Sequence, residues 1–248
     1  MKSLFKITLL LSMLGISRGV SQEDQISTSF RIVSWAPEKP SQFGYISAGE
    51  PVKVEGVNNS LRSVFLDYKG PSTLLLYDVS AMPDTSKPAG SPGAPAPIAR
   101  IFFPPGIKHP LVLLLPVDGN PSLYRTVVFE DDPAKFPFGT YFFQNFSAHK
   151  VAADISGERF IVDPEKSQHL VSSDKKALHL QLAVFEDTNE GWRKIADSFY
   201  PNWKERRTVI FIYDSMRDGH SRMETRTLLE SQAAWEYAIA AKGKAKQE

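Results

Sequence analysis

The sequence contains no cysteine. Disulfide bonds, thiolate metal sites and a lipid anchor on cysteine are therefore excluded. An excess of charge of one sign is also missing, because 29 basic and 28 acidic residues leave a net charge of +1. Nucleic-acid binding needs a concentrated positive field, so we predict no nucleic-acid partner. With no disulfide bonds, a chain of 248 residues that is 42% hydrophobic must be held together by its core.

Catalytic signatures are missing as well. The sequence has no nucleophile elbow, no His-Glu-x-x-His motif, no phosphate-binding loop and no dinucleotide fingerprint. Its five histidines do not show metal-ligand spacing: His109, His149, His169, His179 and His220. The carboxylates Asp67, Asp154 and Glu186 carry no local signature of glycoside cleavage. We therefore predict no catalytic residue, no metal and no cofactor, and regard an enzyme as the less favoured interpretation.

Long apolar runs are absent after the first residues of the chain. Lys2 and Lys6 precede an apolar stretch from Ile7 to Ile16, and small residues follow at Gly19-Val20-Ser21. This pattern predicts a secretory signal peptide at residues 1–21. The alternative, a membrane anchor, needs about 20 apolar residues. We therefore expect an exported protein, periplasmic or secreted, with no transmembrane segment in the mature chain.

What the sequence does contain is a repeat. Residues 98–115 recur at 195–212 with constant spacing, and each copy is followed by an Asp-Gly pair and an Arg-Thr run. The first copy contains Ile98-Ala99, Phe102-Phe103-Pro104, Val112 to Leu115, Asp118-Gly119 and Arg125-Thr126, and the second Ile195-Ala196, Phe199-Tyr200-Pro201, Val209 to Ile212, Asp218-Gly219 and Arg226-Thr227. We interpret the repeat as a tandem duplication of one β-unit. The Asp-Gly pairs are typical of tight hairpin turns.

Short aromatic and β-branched runs bounded by turn residues predict an all-β fold. The prediction is two tandem, similar antiparallel β-sandwich (immunoglobulin-like) domains, residues 30–132 and 136–230. A short helix with a lysine-rich tail follows at 231–248. The proline-rich stretch 82–97 is predicted to be a loop within the first domain, with a domain boundary there as the alternative. Residues 222–229 are predicted to form a strand, because the corresponding run in the first copy is strongly β-like. Taken alone, Ser221 to Glu224 also resembles a helix capping box.

The boundary between the domains is placed at the acidic segment from Glu130 to Pro137. Glu130-Asp131-Asp132 could offer oxygen ligands to calcium, but a solvated linker is the simpler interpretation.

Aromatic residues around Trp203 suggest one binding hypothesis. An exposed row of Trp192, Tyr200 and Trp203 would suit stacking against sugar rings. The alternative places Phe199 in the core, with Tyr200 and Trp203 covering an edge or the interdomain seam. The predicted function is an exported non-catalytic binding or structural protein with a protein or polysaccharide partner. The alternative is an exported glycan-acting hydrolase or a carbohydrate-binding module.

Overall fold

The computed structural model describes most of the chain, namely residues 25–35, 42–54, 57, 59–87, 91–117, 120–171, 179–217 and 220–244. The predicted signal peptide, both Asp-Gly pairs and the last four residues lie outside the described residues.

The first half of the described chain forms eight strands and a short 3₁₀ helix, Val79–Ala81. The strands are β1 (Gln25–Ser34), β2 (Phe43–Ser47), β3 (Glu50–Val54), β4 (Leu66–Pro71), β5 (Thr73–Asp78), β6 (Ala99–Phe102), β7 (Pro110–Val117) and β8 (Asn120–Glu130). The second half forms eight more strands and one helix, α1 (Gln232–Lys244). These strands are β9 (Thr140–Asn145), β10 (Val151–Ile155), β11 (Glu158–Val162), β12 (Ser167–Val171), β13 (His179–Thr188), β14 (Gly191–Pro201), β15 (Arg206–Arg217) and β16 (His220–Ser231).

The strands assemble into four sheets of four strands. The first two sheets have the orders β4-β1-β7-β8 and β3-β2-β5-β6, and the other two have the orders β12-β9-β15-β16 and β11-β10-β13-β14. Each strand of the second half therefore takes the place of the strand numbered eight lower. The all-β prediction is confirmed. The sheets are rich in antiparallel pairs rather than purely antiparallel, because β1 pairs with β7, and β9 with β15, in parallel.

Three hydrophobic clusters lie between these sheets. One joins the first two sheets into a first sandwich, around Phe30, Ile32, Val112 and Leu114. A second joins the other two into a second sandwich, around Tyr141, Phe143, Ile210 and Ile212. The third joins the two inner sheets, β4-β1-β7-β8 and β12-β9-β15-β16, and we call it the seam. Its buried members are Val33, Trp35, Leu111, Leu113, Leu115, Phe136, Val209, Phe211 and Leu228.

The seam explains why β7 is apolar without alternation. Val112 and Leu114 point into the first sandwich, while Leu111, Leu113 and Leu115 point into the seam. A strand covered on both faces carries a continuous apolar run, whereas a strand with one wet face alternates. β13 shows the second pattern, with Leu180 and Leu182 buried and Gln181 exposed.

The repeat led to two structural assignments, one for residues 222–229 and one for the proline-rich stretch. Residues 222–229 lie within the strand β16, and the helix begins only at Gln232. The described residues of the proline-rich stretch contain no strand. The corresponding connection in the second sandwich is the short turn between β13 and β14. The proline-rich stretch is thus a long connection between β5 and β6, whose strands pair directly.

The constant spacing of the repeat aligns β6 correctly with its counterpart β14, but it aligns β7 wrongly with its counterpart β15. On β6 and β14 it matches Phe102 with Phe199, and both side chains are exposed. On β7 and β15 it matches Val112 with Val209, yet Val112 lies in the first sandwich and Val209 in the seam.

Hydrogen bonds give the correct match. The Trp35 N–H donates to the Leu114 carbonyl, and the Phe146 N–H donates to the Ile212 carbonyl. Leu114 therefore corresponds to Ile212, which requires one extra residue before β15 in the second half. A shift of one residue exchanges the faces of a strand, so the gapless match placed every side chain of β15 on the wrong side.

Candidate functional site

Five charged side chains meet at one end of the seam, and we call them the ionic cluster. They are Arg31 on β1, Arg62 before β4, Asp131 after β8, Arg207 on β15 and Glu230 on β16. Each of these side chains is at most 5% exposed. The cluster therefore draws on both inner sheets and on the segments that border them.

The two carboxylates share the three guanidinium groups. Asp131 accepts hydrogen bonds from Arg31 at 2.6 Å and from Arg62 at 2.8 Å, and its other oxygen lies 3.3 Å from Arg207. Glu230 accepts from Arg207 at 2.5 Å and also forms an ion pair with Arg31. Arg207 further donates to the backbone carbonyl of Asp131 at 3.0 Å. The charges are thus paired and hydrogen-bonded, as buried ions must be.

The electrostatics favour ionised carboxylates. Burial by itself would raise the pKa of Asp131, but the guanidinium groups of Arg62, Arg207 and Arg31 hold that pKa below its usual value. Burial and the neighbouring arginines act on the pKa of Glu230 in the same two directions, and the net effect is again a lowered pKa. Three cations and two anions leave the ionic cluster with one excess positive charge.

Aromatic rings cover the guanidinium groups. Arg31 lies 4.8 Å from the ring centre of Trp235 and 4.9 Å from that of Phe65. Arg207 lies 4.9 Å from Trp235 and 5.3 Å from Phe136. The negative face of a ring attracts a cation, most strongly where water is excluded. Trp235, on the first turn of α1, therefore closes the ionic cluster from the side of the C-terminal helix.

The interpretation of the acidic segment as a solvated linker is wrong at Asp131. Its side chain is fully buried, and Phe136 is only 3% exposed. The reason is the pair of arginines on the inner sheets, Arg31 and Arg207, which need an anion between them. Its carboxylate is therefore engaged by arginines rather than free for calcium. Among the described residues, no group of three or more His, Asp or Glu side chains is placed to hold a metal.

The similarity of the two halves continues past the Arg-Thr runs. The Asp131 N–H donates to the His109 carbonyl at 3.2 Å, and Glu230 pairs with Arg207, so Asp131 and Glu230 occupy corresponding positions. The next residues, Asp132 and Ser231, play the same part. The side chain of Asp132 accepts the Ala134 N–H, and the side chain of Ser231 accepts the Ala234 N–H. Phe136 and Trp235 then follow at matching positions. The residue types in the two halves differ along this stretch, so an alignment of the two halves by sequence does not reveal that they correspond.

A cleft opens beside the ionic cluster, because Phe136 both contacts Arg207 and lines the cleft, and we call it the seam cleft. Its volume is about 460 Å³. Its walls are the rings of Phe129, Phe136 and Phe142. Phe129 stacks on Phe142 with ring centres 6.3 Å apart, and Phe136 lies 5.5 Å from Phe142. The cleft therefore presents aromatic surface contributed by β8, β9 and the segment between them.

Polar groups line the rim of the seam cleft. They are Glu130, Lys135, Gln144, Ser167 and His169. Glu130 forms an ion pair with Lys135 and accepts the Lys108 N–H at 3.1 Å. Partial burial by itself would raise the pKa of Glu130, but these two bonds outweigh that effect. The net result is a lowered pKa, so Glu130 is an anion. Burial lowers the pKa of His169, whose ring stands edge-on to Phe142 at 4.7 Å, so this histidine is neutral at pH 7. Aromatic walls with a few polar groups are typical of ligand-binding clefts.

The aromatic group around Trp203 does not form a row. Phe199 is 71% exposed, so its assignment to the core is wrong. Tyr200 packs against the core of the second sandwich, and its hydroxyl lies 2.8 Å from the Thr227 hydroxyl. The cause is strand alternation, because Tyr200 pairs with the buried Leu180. Trp203 is exposed, but the Arg206 guanidinium lies 3.5 Å from its ring centre.

The other carboxylates considered for glycan cleavage are dispersed. Asp67 lies on β4 of the first sandwich, whereas Asp154 and Glu186 lie on β10 and β13 of the second. Glu186 is bound by Arg193, and Asp154 accepts the Gly157 N–H at 2.9 Å. Glu186 also lies 3.9 Å from His149.

The chain matches no protein-family model and no curated protein sequence at a significant level. Among the helices of the described residues, none is long and apolar enough to cross a membrane.

Proposed function

We propose that this chain is an exported, non-catalytic binding protein of the cell envelope or extracellular space, and that the seam cleft is its binding site. In this proposal the chain consists of two tandem sandwich domains, preceded by a signal peptide that is removed. The common strand order of the two halves supports the tandem organisation. Fold by itself does not specify a ligand, so the proposal rests on the site.

The observation that carries the proposal is the form of the seam cleft. Its volume of about 460 Å³ falls within the range of about 300–1,000 Å³ that is common for small-ligand sites. Phe129 and Phe142 come from different inner sheets, so the cleft depends on how the two sandwiches pack. The ionic cluster stabilises that packing, because its ion pair between Arg31 and Glu230 joins the two inner sheets. A preorganised cleft loses less conformational entropy on binding than one that must form around its ligand.

The glycan-acting alternative has less support. Cleavage of a glycosidic bond needs two accessible carboxyl groups about 5–10 Å apart. Asp131 and Glu230 do meet in the seam, but they are buried beneath arginines. For a carbohydrate-binding module, the ring face of Trp203 would have to be open, and Arg206 lies over it.

Ligand-observed NMR on the mature chain tests the proposal. The probe set contains a neutral aromatic compound, a cationic and an anionic amino-acid amide, and a short oligosaccharide. Ser167→Trp places a large ring at the exposed rim of the cleft, and Ser122→Trp places the same ring on an exposed part of β8 outside it. We expect at least one probe to bind the wild type and Ser122→Trp but not Ser167→Trp. Equal binding of every probe to both variants, or no binding at all, would overturn the proposal.

A further inference from the structure

The ionic cluster and the seam cleft are related by the correspondence between the halves. Leu66 pairs with Phe30, and Leu170 pairs with Tyr141, which occupy matching places on β1 and β9. Phe65 therefore corresponds to His169. The register changes by one residue beyond Phe65, because the Ser63 N–H donates to the Ile32 carbonyl. Ser63 therefore corresponds to Gln168, which lies opposite Phe143, and Arg62 corresponds to Ser167. Arg31 corresponds to Phe142, and the contact of Arg31 with Phe65 at 4.9 Å matches that of Phe142 with His169 at 4.7 Å. The ionic cluster and the seam cleft are thus two versions of one place.

In the first version, an arginine fills the space. Arg62 crosses the seam, donates to both oxygens of Asp131 and lies 3.4 Å from the Leu229 carbonyl. Its side chain is only 2% exposed. Leu229 corresponds to Glu130, because Thr208 pairs with Leu229 where Pro110 pairs with Glu130. The groove that holds Arg62 therefore corresponds to the groove bordered by Ser167 and Glu130.

In the second version, the corresponding side chain is too short to fill the space. Ser167 takes the place of Arg62, and it lines the seam cleft. Among the described residues that line the cleft there is a lysine, Lys135, but no arginine. The space that Arg62 fills in the other half is bordered here by the aromatic rings and by Glu130, which stands where the other half has Leu229.

Guanidinium groups lie over aromatic rings at several places in the seam. Arg31 and Arg207 lie over Trp235, and Arg226 lies 5.1 Å from the ring centre of Trp35. A planar, weakly hydrated guanidinium is well suited to lie between rings and a carboxylate. The seam cleft offers the rings of Phe129, Phe136 and Phe142 together with the Glu130 carboxylate.

We propose that the seam cleft binds a guanidinium group on an aliphatic chain, with Glu130 as its carboxylate partner, in the space that Arg62 fills in the other half. This inference rests on the proposed binding function. In the absence of a ligand, Lys135 forms an ion pair with the Glu130 carboxylate. An incoming guanidinium displaces Lys135 at a small cost in free energy, because an exposed ion pair contributes little to stability. The guanidinium belongs either to a free small molecule or to an arginine of a partner protein.

Calorimetric titration of the mature chain tests the assignment. The probes are N-acetyl-arginine amide, the citrulline analogue, which keeps the shape without the charge, and a five-residue peptide with a central arginine between glycines. We expect the arginine probe to bind and the citrulline probe to bind at least roughly tenfold more weakly, since a charge-assisted bond is lost. Tighter binding of the peptide would indicate a protein partner, and equal binding a free small molecule.

Three variants locate the site. Glu130→Gln should weaken arginine binding roughly tenfold, and Lys135→Ala should strengthen it roughly two- to fivefold by releasing the carboxylate. Glu190→Gln, in the exposed turn between β13 and β14, should change nothing. Thermal unfolding of each variant checks that it is folded. Equal affinity for citrulline and arginine, or no effect of Glu130→Gln, would overturn the assignment. If a different probe is excluded by Ser167→Trp while arginine does not bind, the guanidinium assignment is wrong and the binding function stands.

Discussion

Asp131 accepts hydrogen bonds from arginines inside a seam that excludes water. Replacing it by Asn removes one of two anions and leaves three buried guanidinium groups with a single carboxylate. Breaking a buried charge pair in this way costs about 3–5 kcal/mol, because the partner charge stays desolvated. We expect Asp131→Asn to lower the free energy of unfolding by that amount in urea denaturation. Asp163→Asn, in an exposed pair with Lys150, should lower it by less than about 1 kcal/mol. Equal effects of the two substitutions would contradict the assigned role of the ionic cluster.

The residues of the ionic cluster could not be identified from the sequence. Arg31 and Glu230 are far apart in the chain, and neither belongs to a recognisable motif. Asp131 stands beside other charges and a proline, a composition that usually indicates a solvated linker. Only the stacking of two sheets brings a partner to it. The walls of the seam cleft, Phe129, Phe136 and Phe142, are close in the chain, but only the packing of the two inner sheets brings Phe129 of β8 onto Phe142 of β9.

At the scale of elements, Trp235 links α1 to the ionic cluster on the inner sheets. Trp235 contacts Arg31, Arg207, Phe65 and His109. Trp235→Ala should lower the free energy of unfolding by roughly 2–4 kcal/mol, less than for a fully buried ring. Tyr237→Ala is the matched control on the same helix, because Tyr237 is 74% exposed and should cost under about 0.5 kcal/mol. Urea denaturation followed by circular dichroism measures both values. A similar loss for the two variants would show that α1 does not pack as described.

Elements were more predictable than side chains. The period of two in β13 and the β-like character of 222–229 identify strands directly, because one buried face imposes alternation. The gapless repeat is one residue out of register on β15, since Val209 and Ile210 are both buried and a run that is covered on both faces shows no alternation by which to align it. The sharp turns Ala48-Gly49 and Ser156-Gly157, with positive φ at all four residues, also match between the halves. Only the glycines are shared, so the sequence comparison did not reveal this match.

At the scale of the whole molecule, acid should weaken the fold in two stages. The pKa of His109 and that of His169 are lowered by burial, so both histidines favour the folded state less once the pH falls below their unfolded value of about 6.5. The pKa of Asp131 and that of Glu230 are also lowered, and their contribution, present above about pH 4, is lost as the pH falls towards the folded values. Urea denaturation from pH 7.5 to 3 should show a small decline, then a steep one. Glu230→Gln should reduce the second decline. A constant free energy of unfolding over this range would contradict the prediction.

The central claim is that the seam joins the two sandwiches into one body, since both the ionic cluster and the seam cleft exist only while the inner sheets stay packed. Differential scanning calorimetry of the protein tests this claim most directly. We predict one cooperative transition with equal calorimetric and van't Hoff enthalpies. Two resolved transitions in the wild type, unchanged in Asp131→Asn, would show that the sandwiches unfold independently and would contradict the account.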